Sequence, residues 1–365
     1  KKENVKMDRH IKALEILHSG TVIPANPLSL DENRQFDEHG QRLLTKYYLE
    51  AGAGGIAAAV HTTQFEIRLP QYNLFEKVLR VTAAEISNYE KSHNKTIVRI
   101  AGVCGNVEQA ISEAVIARQC GYDAVLLSPG GLNDLSEKEM INRTKAVAEI
   151  MPVIGFYLQT AVGGRVFTFN YWQQICEIDN VVAIKCASFN RYTTADVARA
   201  ATLSSRADKI ALYTGNDDNI VIDLITKYRF EIGGKTYETR FAGGLLGHWS
   251  VWTHSAVLMF EYLKAQAEKG VISEDVLTLA AQITDVNGVF FDVANNFKGC
   301  IAGLHEVLRR QGLMRGIWCL NPDEAMSKGQ AEEIDRVYKM YPQLNDDAFI
   351  KENICRWVAE LEKNK

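Results

Sequence analysis

The sequence predicts an α/β protein folded as a (β/α)8 barrel, a TIM barrel, with a C-terminal helical extension. Three observations lead there. An amphipathic helix, a glycine or polar stop and a short apolar run recur along the first ~250 residues. The apolar runs are too densely hydrophobic for strands with one wet face, as expected for a parallel sheet covered on both sides. Beyond about residue 260 the alternation ceases and only helical patterns remain. Strands separated by helices are parallel, and eight such units close most simply into a barrel. The expected division is a barrel over residues 1–260 and a helical extension over 261–365, packed on the barrel.

The first strand is expected at 20–25, followed by Pro27 and no glycine-rich turn. An open doubly wound sheet would carry a phosphate turn there. Gln41 to Glu50 reads as a helix stopped by Gly52, leading into a strand at 55–60. Glu108 to Gln119 is a helix stopped by Gly121, leading into a strand at 123–128. The same logic places strands at 96–101, 153–158, 181–186, 209–214 and 241–246. After them come helices over Ser250 to Lys269, Ser273 to Gln282 and Val286 to Arg310, and two more between Asp323 and the end. Ser327 and Gln330 have capping-box spacing, and Asn345-Asp346-Asp347 suits an N-cap.

Of the 365 residues 47% are hydrophobic and 24% charged, which excludes disorder and small disulfide scaffolds. Forty-one Lys and Arg against 45 Asp and Glu give a net charge of -4 without one-signed blocks, so neither nucleic acid nor an anionic membrane is an expected partner. A small molecule is. Seven cysteines, an odd number without a CxxC pair, read as reduced thiols, and no run approaches the ~18 apolar residues of a membrane helix. The start, Lys1 to His10, lacks the apolar run of a signal peptide. A cytoplasmic location is therefore expected.

Lys185 is the sole charge in Val181-Val-Ala-Ile-Lys-Cys-Ala187. Lysine is rarely buried unless it is used or paired. With 181, 183 and 185 sharing one side of the strand, its amine is expected in the barrel mouth, where desolvation favours the neutral form that attacks a ketone. Tyr157, one βα unit earlier, is expected at the same height on the adjacent strand as a proton shuttle. Thr62 and Thr63, between His61 and Gln64, offer hydroxyls and turn amides to a carboxylate.

On these residues the chain resembles the dihydrodipicolinate synthase and N-acetylneuraminate lyase family of Schiff-base aldolases, from about Thr21 to Gly312. The resemblance aligns Ala183-Ile-Lys185 with the family's G-[IV]-K imine motif, Tyr157 with its Y-N-x-P tyrosine and His61-Thr-Thr-Gln64 with its carboxylate-binding turn. Leu212 to Asp217 resembles the strand-seven S-G-x-D turn, Ala242 to Gly247 the glycine-rich strand eight, with Gly244 expected at the substrate, and Asn296 to Gly312 the C-terminal helix. Departures are clear: the glycine before the lysine unit is Ala183, both turn glycines are lost, Leu158 and Gln159 follow the tyrosine, and the second-substrate arginine aligns near Val162 with Arg165 three residues on.

The resemblance implies a lyase that joins or cleaves a carbon–carbon bond of pyruvate or another 2-oxo acid through a lysine imine, with an aldehyde or sugar-acid partner substrate, as a homo-oligomer, dimer or tetramer. Lys185 and Tyr157 are then the reacting pair, and Thr62, Thr63, His61, Gln159, Asp217 and Gly244 hold substrate. Neither cofactor nor metal is required, because the protonated imine is the electron sink. Two alternatives are weighed: a metal-dependent lyase or hydrolase using His61, Asp217 and His248, and a silent member that binds a metabolite without turnover.

Overall fold

In the computed structural model, which describes residues 2–363, eight parallel strands form the barrel: β1 (Val22–Pro24), β2 (Gly55–Ala58), β3 (Val98–Val103), β4 (Ala124–Leu127), β5 (Val153–Leu158), β6 (Val181–Ala187), β7 (Ala211–Thr214) and, last in the ring, β10 (Phe241–Leu246). Hydrogen bonds run in the order β1-β10-β7-β6-β5-β4-β3-β2. Between β2 and β1 the ring is joined by a parallel bridge at Ala25 and Ala57, where the Asn26 N–H donates to the Ala57 carbonyl at 2.8 Å. All eight strands lie where the helix–stop–strand repeat put them.

Side chains alternate between two layers. Ile23, Ala57, Ile100, Leu126, Ile154, Ala183, Tyr213 and Leu245 fill the inside of the barrel, while Val125, Val153, Ile184 and Cys186 pack outward under the helices. Continuous apolar strands follow from this: both faces of every strand are covered. In β6 the alternation is interrupted. Its pairing with β5 slips between Val181 and Ala183, so Val181 packs outward while Ala183, Lys185 and Ala187 face in. The expectation that 181 shares a side with 185 is corrected by that irregularity.

Two elements were not foreseen. Helix α1 (Lys2–Ser19) closes the N-terminal end of the barrel. Its Ala13 and Leu17 are fully buried in the inner layer, and the Leu17 carbonyl accepts a 2.7 Å hydrogen bond from the Tyr213 hydroxyl. A hairpin, β8 (Tyr228–Ile232) with β9 (Lys235–Thr239), precedes β10. Its signal was present: Gly233-Gly234 between alternating strands, both with positive φ, as a two-residue hairpin turn requires.

Beyond the barrel, α9 (Thr253–Lys269) fits its expected range. The two helices expected next, Ser273 to Gln282 and Val286 to Arg310, are divided differently. Helix α10 (Glu274–Phe290) bridges the expected gap near 283–285, and α11 (Cys300–Arg310) begins only after a nine-residue interruption containing left-handed Asp292, Asn296 and Phe297. Asp292 holds the interruption closed, its carboxylate accepting from the Gly299 N–H at 2.8 Å and from the Ser327 hydroxyl. Ser327 is thus used as a tether, and Gly329 is the cap of α12 (Gln330–Met340). The stretch Asn345-Asp346-Asp347 does open α13 (Asp347–Lys363), with Asn345 Oδ1 accepting the Asp347 N–H at 3.2 Å, while the Asp346 carboxylate accepts hydrogen bonds from the Tyr47 hydroxyl and the His254 N–H.

The plug at the base of the barrel generates a prediction. Leu17→Ala removes a fully buried side chain from a packed layer and should lower unfolding stability by about 2–5 kcal/mol in a denaturant titration; an unchanged midpoint would show that α1 does not seal the barrel.

Candidate active site

The C-terminal ends of the strands surround a pocket lined by Ala25, Val60, His61, Thr62, Leu126, Phe156, Leu158, Gln159, Val162, Lys185, Asp217 and others. Lys185 reaches it from β6, buried and inward. Space for its stem is made by Gly215: a Cβ there would stand 2.4 Å from Lys185 Cε and 2.9 Å from the Ala187 Cβ. The amine rests over the Phe156 ring, 4.6 Å from its centroid. Burial pulls the Lys185 ammonium below its ordinary range and outweighs the opposing pull of the Asp217 charge.

Asp217 follows β7 and lines the same pocket. Its Oδ1 accepts the His248 backbone N–H at 2.9 Å. Burial pushes its carboxyl well above the usual carboxylate range, against that hydrogen bond and the Lys185 charge. His61, in the short 3₁₀ turn His61–Thr63, is held as neutral imidazole, lowered to about 4 by burial and then by Lys185.

Tyr157 is not in this pocket, and its placement there is corrected. In the β5–β6 register Phe156 lies beside Lys185 and Tyr157 beside Cys186, on the opposite face. The Tyr157 ring packs outward, stacked on Trp172 at 5.2 Å and edge-on to Phe167 at 5.7 Å, while its oxygen accepts the Phe167 N–H at 3.0 Å. Strand side chains alternate, so an error of one residue in alignment exchanges the inside of the barrel for the outside. Phe156 therefore occupies the position that was assigned to a phenol.

Of the other expected residues, His61, Thr62, Gln159 and Asp217 line the pocket. The Thr62 hydroxyl donates to the Ala25 carbonyl at 2.9 Å and that of Thr63 to the Asn26 carbonyl at 2.7 Å. Both hydroxyls are spent on joining the turn to the end of β1, which leaves backbone N–H groups as what the turn offers a carboxylate. Gly244 does not reach the pocket: a Cβ on it would collide with the Trp249 ring at 2.5 Å, in the outer layer. Gly244 is small because that indole packs on its strand.

His248 is also outside. Its ring stacks on Phe290 and its Nδ1 lies 3.1 Å from the Asn287 amide. Among the described residues no three of His, Cys, Asp and Glu are grouped to hold a metal ion, so His61, Asp217 and His248 do not converge on one. Phe189, Phe291, Phe297 and Cys300, which line the pocket, were missed. Phe291 and Phe297 come from the interruption between α10 and α11, and Cys300 from the first residue of α11; the interruption's one sequence signal is Asn295-Asn296 inside an otherwise helical pattern, asparagine being tolerant of left-handed backbone. A larger groove of about 820 Å³ lies between outer helices at the other end of the barrel and contains none of these groups. Among the described residues no helix is long and apolar enough to cross a membrane.

Residues 18–340 match the model of the dihydrodipicolinate synthetase family. A 131-residue stretch is 32% identical to a 4-hydroxy-tetrahydrodipicolinate synthase of Clostridium novyi, covering 35% of this chain and 42% of the relative's length. A 186-residue stretch is 27% identical to the synthase of Marinobacter nauticus, covering 50% and 58%. The chain thus spans about half the length of these curated relatives. Among solved structures it is similar to N-acetylneuraminate lyase from Fusobacterium nucleatum in complex with pyruvate, with TM-score 0.67 and 15% identity over 89% of this chain and 97% of the other. It is likewise similar to dihydrodipicolinate synthase from Oceanobacillus iheyensis, with TM-score 0.69 and 16% identity over 88% and 96%. At such identities these two matches establish the shared barrel.

Two outcomes follow from the geometry. Gly215→Ala should displace the Lys185 stem and slow reductive trapping of a 2-oxo acid on that lysine while the protein still folds; trapping at the original rate would show that the stem can lie elsewhere. Tyr157→Phe should remove the acceptor of a buried N–H and cost about 1–3 kcal/mol in thermal or chemical unfolding, leaving the trapping rate as it was, whereas loss of trapping with full stability would return the phenol to the site.

Proposed function

Because the chain belongs to the dihydrodipicolinate synthetase family, we propose that it is a lyase of the Schiff-base aldolase type, acting on pyruvate or another 2-oxo acid. One observation carries the reading: a single lysine projects into the apolar mouth of the barrel, where burial lowers its pKa to about 8 and so makes the neutral amine accessible near neutral pH. The neutral Lys185 nitrogen attacks the ketone carbon, and loss of water gives a protonated imine. That cation draws off the electron pair released when a C3 proton leaves, and the resulting enamine carbon adds to the carbonyl of an aldehyde. Run backward, the same steps cleave the bond. Water then hydrolyses the imine.

The carboxylate of the 2-oxo acid is assigned to the backbone N–H groups of the turn at His61 and Thr62, with Gln159 also lining the pocket. Proton exchange is assigned to Asp217, the carboxyl that lines the pocket and whose raised pKa allows it to be protonated near neutral pH. The neutral His61 ring adds no competing charge. A second reading, a member that forms the imine without turnover, is favoured by one observation, the hydroxyl-free Phe156 beside Lys185. The seven free cysteines support a reducing, cytoplasmic setting. A homo-oligomeric assembly and the division into a barrel and a helical extension remain part of the same proposal.

Borohydride reduction in the presence of pyruvate should add one substrate unit, mapped by peptide analysis to Lys185, and Lys185→Ala should abolish both adduct and turnover. An adduct on another lysine would defeat the reading. Imine formation should rise with pH through the Lys185 titration, with its midpoint well below the ordinary lysine value of about 10.4. Asp217 raises the Lys185 pKa by its charge, so Asp217→Asn should move that midpoint further down while reducing turnover by roughly 10²–10⁴-fold. An upward movement of the midpoint, or unchanged turnover, would remove Asp217 from the mechanism.

A further inference from the structure

Much of the pocket wall is built from rings and aliphatic side chains: Phe156, Leu158, Val162, Phe189, Phe291 and Phe297. Two of these phenylalanines are held in a conformation that bulky residues seldom adopt. Phe189 has φ 52° and Phe297 φ 66°. They come from distant parts of the chain, one after β6 and one from the interruption between α10 and α11, and their rings meet edge-to-face with centroids 6.0 Å apart. Both backbones are tied down. The Phe189 N–H donates to the buried Asn216 Oδ1 at 3.0 Å, and the Phe297 N–H donates to the Asp292 carbonyl at 3.0 Å. Strain of this kind persists only where surrounding bonds over-determine it, and here it points two rings at one space.

The charges point the same way. The ionisable groups lining the pocket are Lys185, Asp217, His61 and Cys300. Burial holds His61 neutral and keeps the Cys300 thiol protonated. Once Lys185 is an imine, its positive charge is matched by the carboxylate of the 2-oxo acid. A second carboxylate would find no cation left and Asp217 for a neighbour. Arg165 does not supply one, since its guanidinium donates to the Leu135 carbonyl and stacks over Phe167, 5.3 Å from the ring centroid. A polyol would turn its hydroxyls toward rings that offer no partner.

We propose that the second compound handled at this site is an uncharged aryl or long-chain alkyl aldehyde, with Phe189, Phe291 and Phe297 as the residues that select it; this rests on the imine reading above. The enamine C3 forms the new bond to the aldehyde carbon, the carbonyl π pair moves onto oxygen, and the Asp217 carboxyl gives that oxygen its proton. Hydrolysis of the imine consumes the water released when it formed and frees a 4-hydroxy-2-oxo acid bearing the aryl or alkyl group. Cleavage of that acid is the reverse.

The test uses the full chain with pyruvate, first alone under borohydride and then with benzaldehyde, 3-phenylpropanal, glyceraldehyde or succinate semialdehyde, product being quantified by mass spectrometry. The expected result is a Lys185 adduct with pyruvate alone, and kcat/KM for the two phenyl aldehydes about tenfold or more above the other two, the scale on which apolar pockets discriminate. Phe297→Asn, which suits the left-handed backbone while removing the ring, should cut the phenyl-aldehyde kcat/KM by about tenfold. Phe189→Asn should act in the same direction. An adduct combined with preference for glyceraldehyde or succinate semialdehyde, or with no turnover of phenyl aldehydes, overturns the aldehyde class and leaves the imine reading standing. No adduct with pyruvate or other 2-oxo acids overturns both.

Discussion

The structure turns on one constraint: an amine has been placed where water cannot solvate its charge. Lys185 projects into the mouth of a parallel barrel, over a phenyl ring, with a single buried carboxyl lining the same pocket. A lysine in that position gives up its proton readily, because desolvation penalises the charged form more than one nearby anion can restore it. Asp217 answers to the same penalty with opposite sign and tends to keep its proton. The two groups thereby approach each other in acidity. Around them the packing fixes the site: Gly215 yields room for the lysine stem and the 3₁₀ turn of His61–Thr63 is pinned to the end of β1.

What covers the site comes from the segment after the barrel. The helical pattern between residues 286 and 310 is interrupted, and the nine residues of the interruption lower Phe291, Phe297 and Cys300 into the pocket. The interruption is secured from both sides, by the Asp292 carboxylate within it and by Gln330, whose amide donates to the Gly299 carbonyl at 3.0 Å. Farther along, the Leu320 N–H donates to Gln64 Oε1 at 2.6 Å, so the chain that leaves α11 returns to the turn beside Thr62 and Thr63. The helices beyond the barrel therefore do more than pack on it. They contribute the apolar roof, and the α12 cap region fixes that roof in place.

The contrast between Phe156 and Tyr157 shows how finely the chemistry depends on strand register. A phenol one residue earlier would face Lys185. As it stands, the phenol supports the outer layer with Trp172 and Phe167, and a plain ring faces the amine. In the proposed mechanism proton transfer is assigned instead to a carboxyl after the next strand, whose oxygen accepts the His248 N–H. A barrel supports such exchanges because neighbouring strand ends converge on one space, so a group lost from one can be replaced from another without rebuilding the scaffold.

The eight strands, the helices between them and the burial of Lys185 inside the barrel were legible in the sequence, because each rests on local information: a glycine stop, a run apolar on both faces, one charge where no charge should be. The hairpin at Gly233-Gly234 was legible by the same standard and was passed over, and the Asn295-Asn296 break was masked by the helical periodicity on either side. Which face each side chain took was another matter. The slip between Val181 and Ala183, the outward turn of Tyr157 and the displacement of Gly244 beneath Trp249 depend on pairing with neighbouring strands and on packing against distant helices. Likewise, nothing local announces that Leu17 would plug the base or that Phe297 would meet Phe189, since those contacts join residues far apart in the chain. Sequence periodicity determined the elements and marked the buried amine; tertiary structure alone decided what stands beside that amine, because strand register and long-range packing are properties of the closed barrel rather than of any one strand.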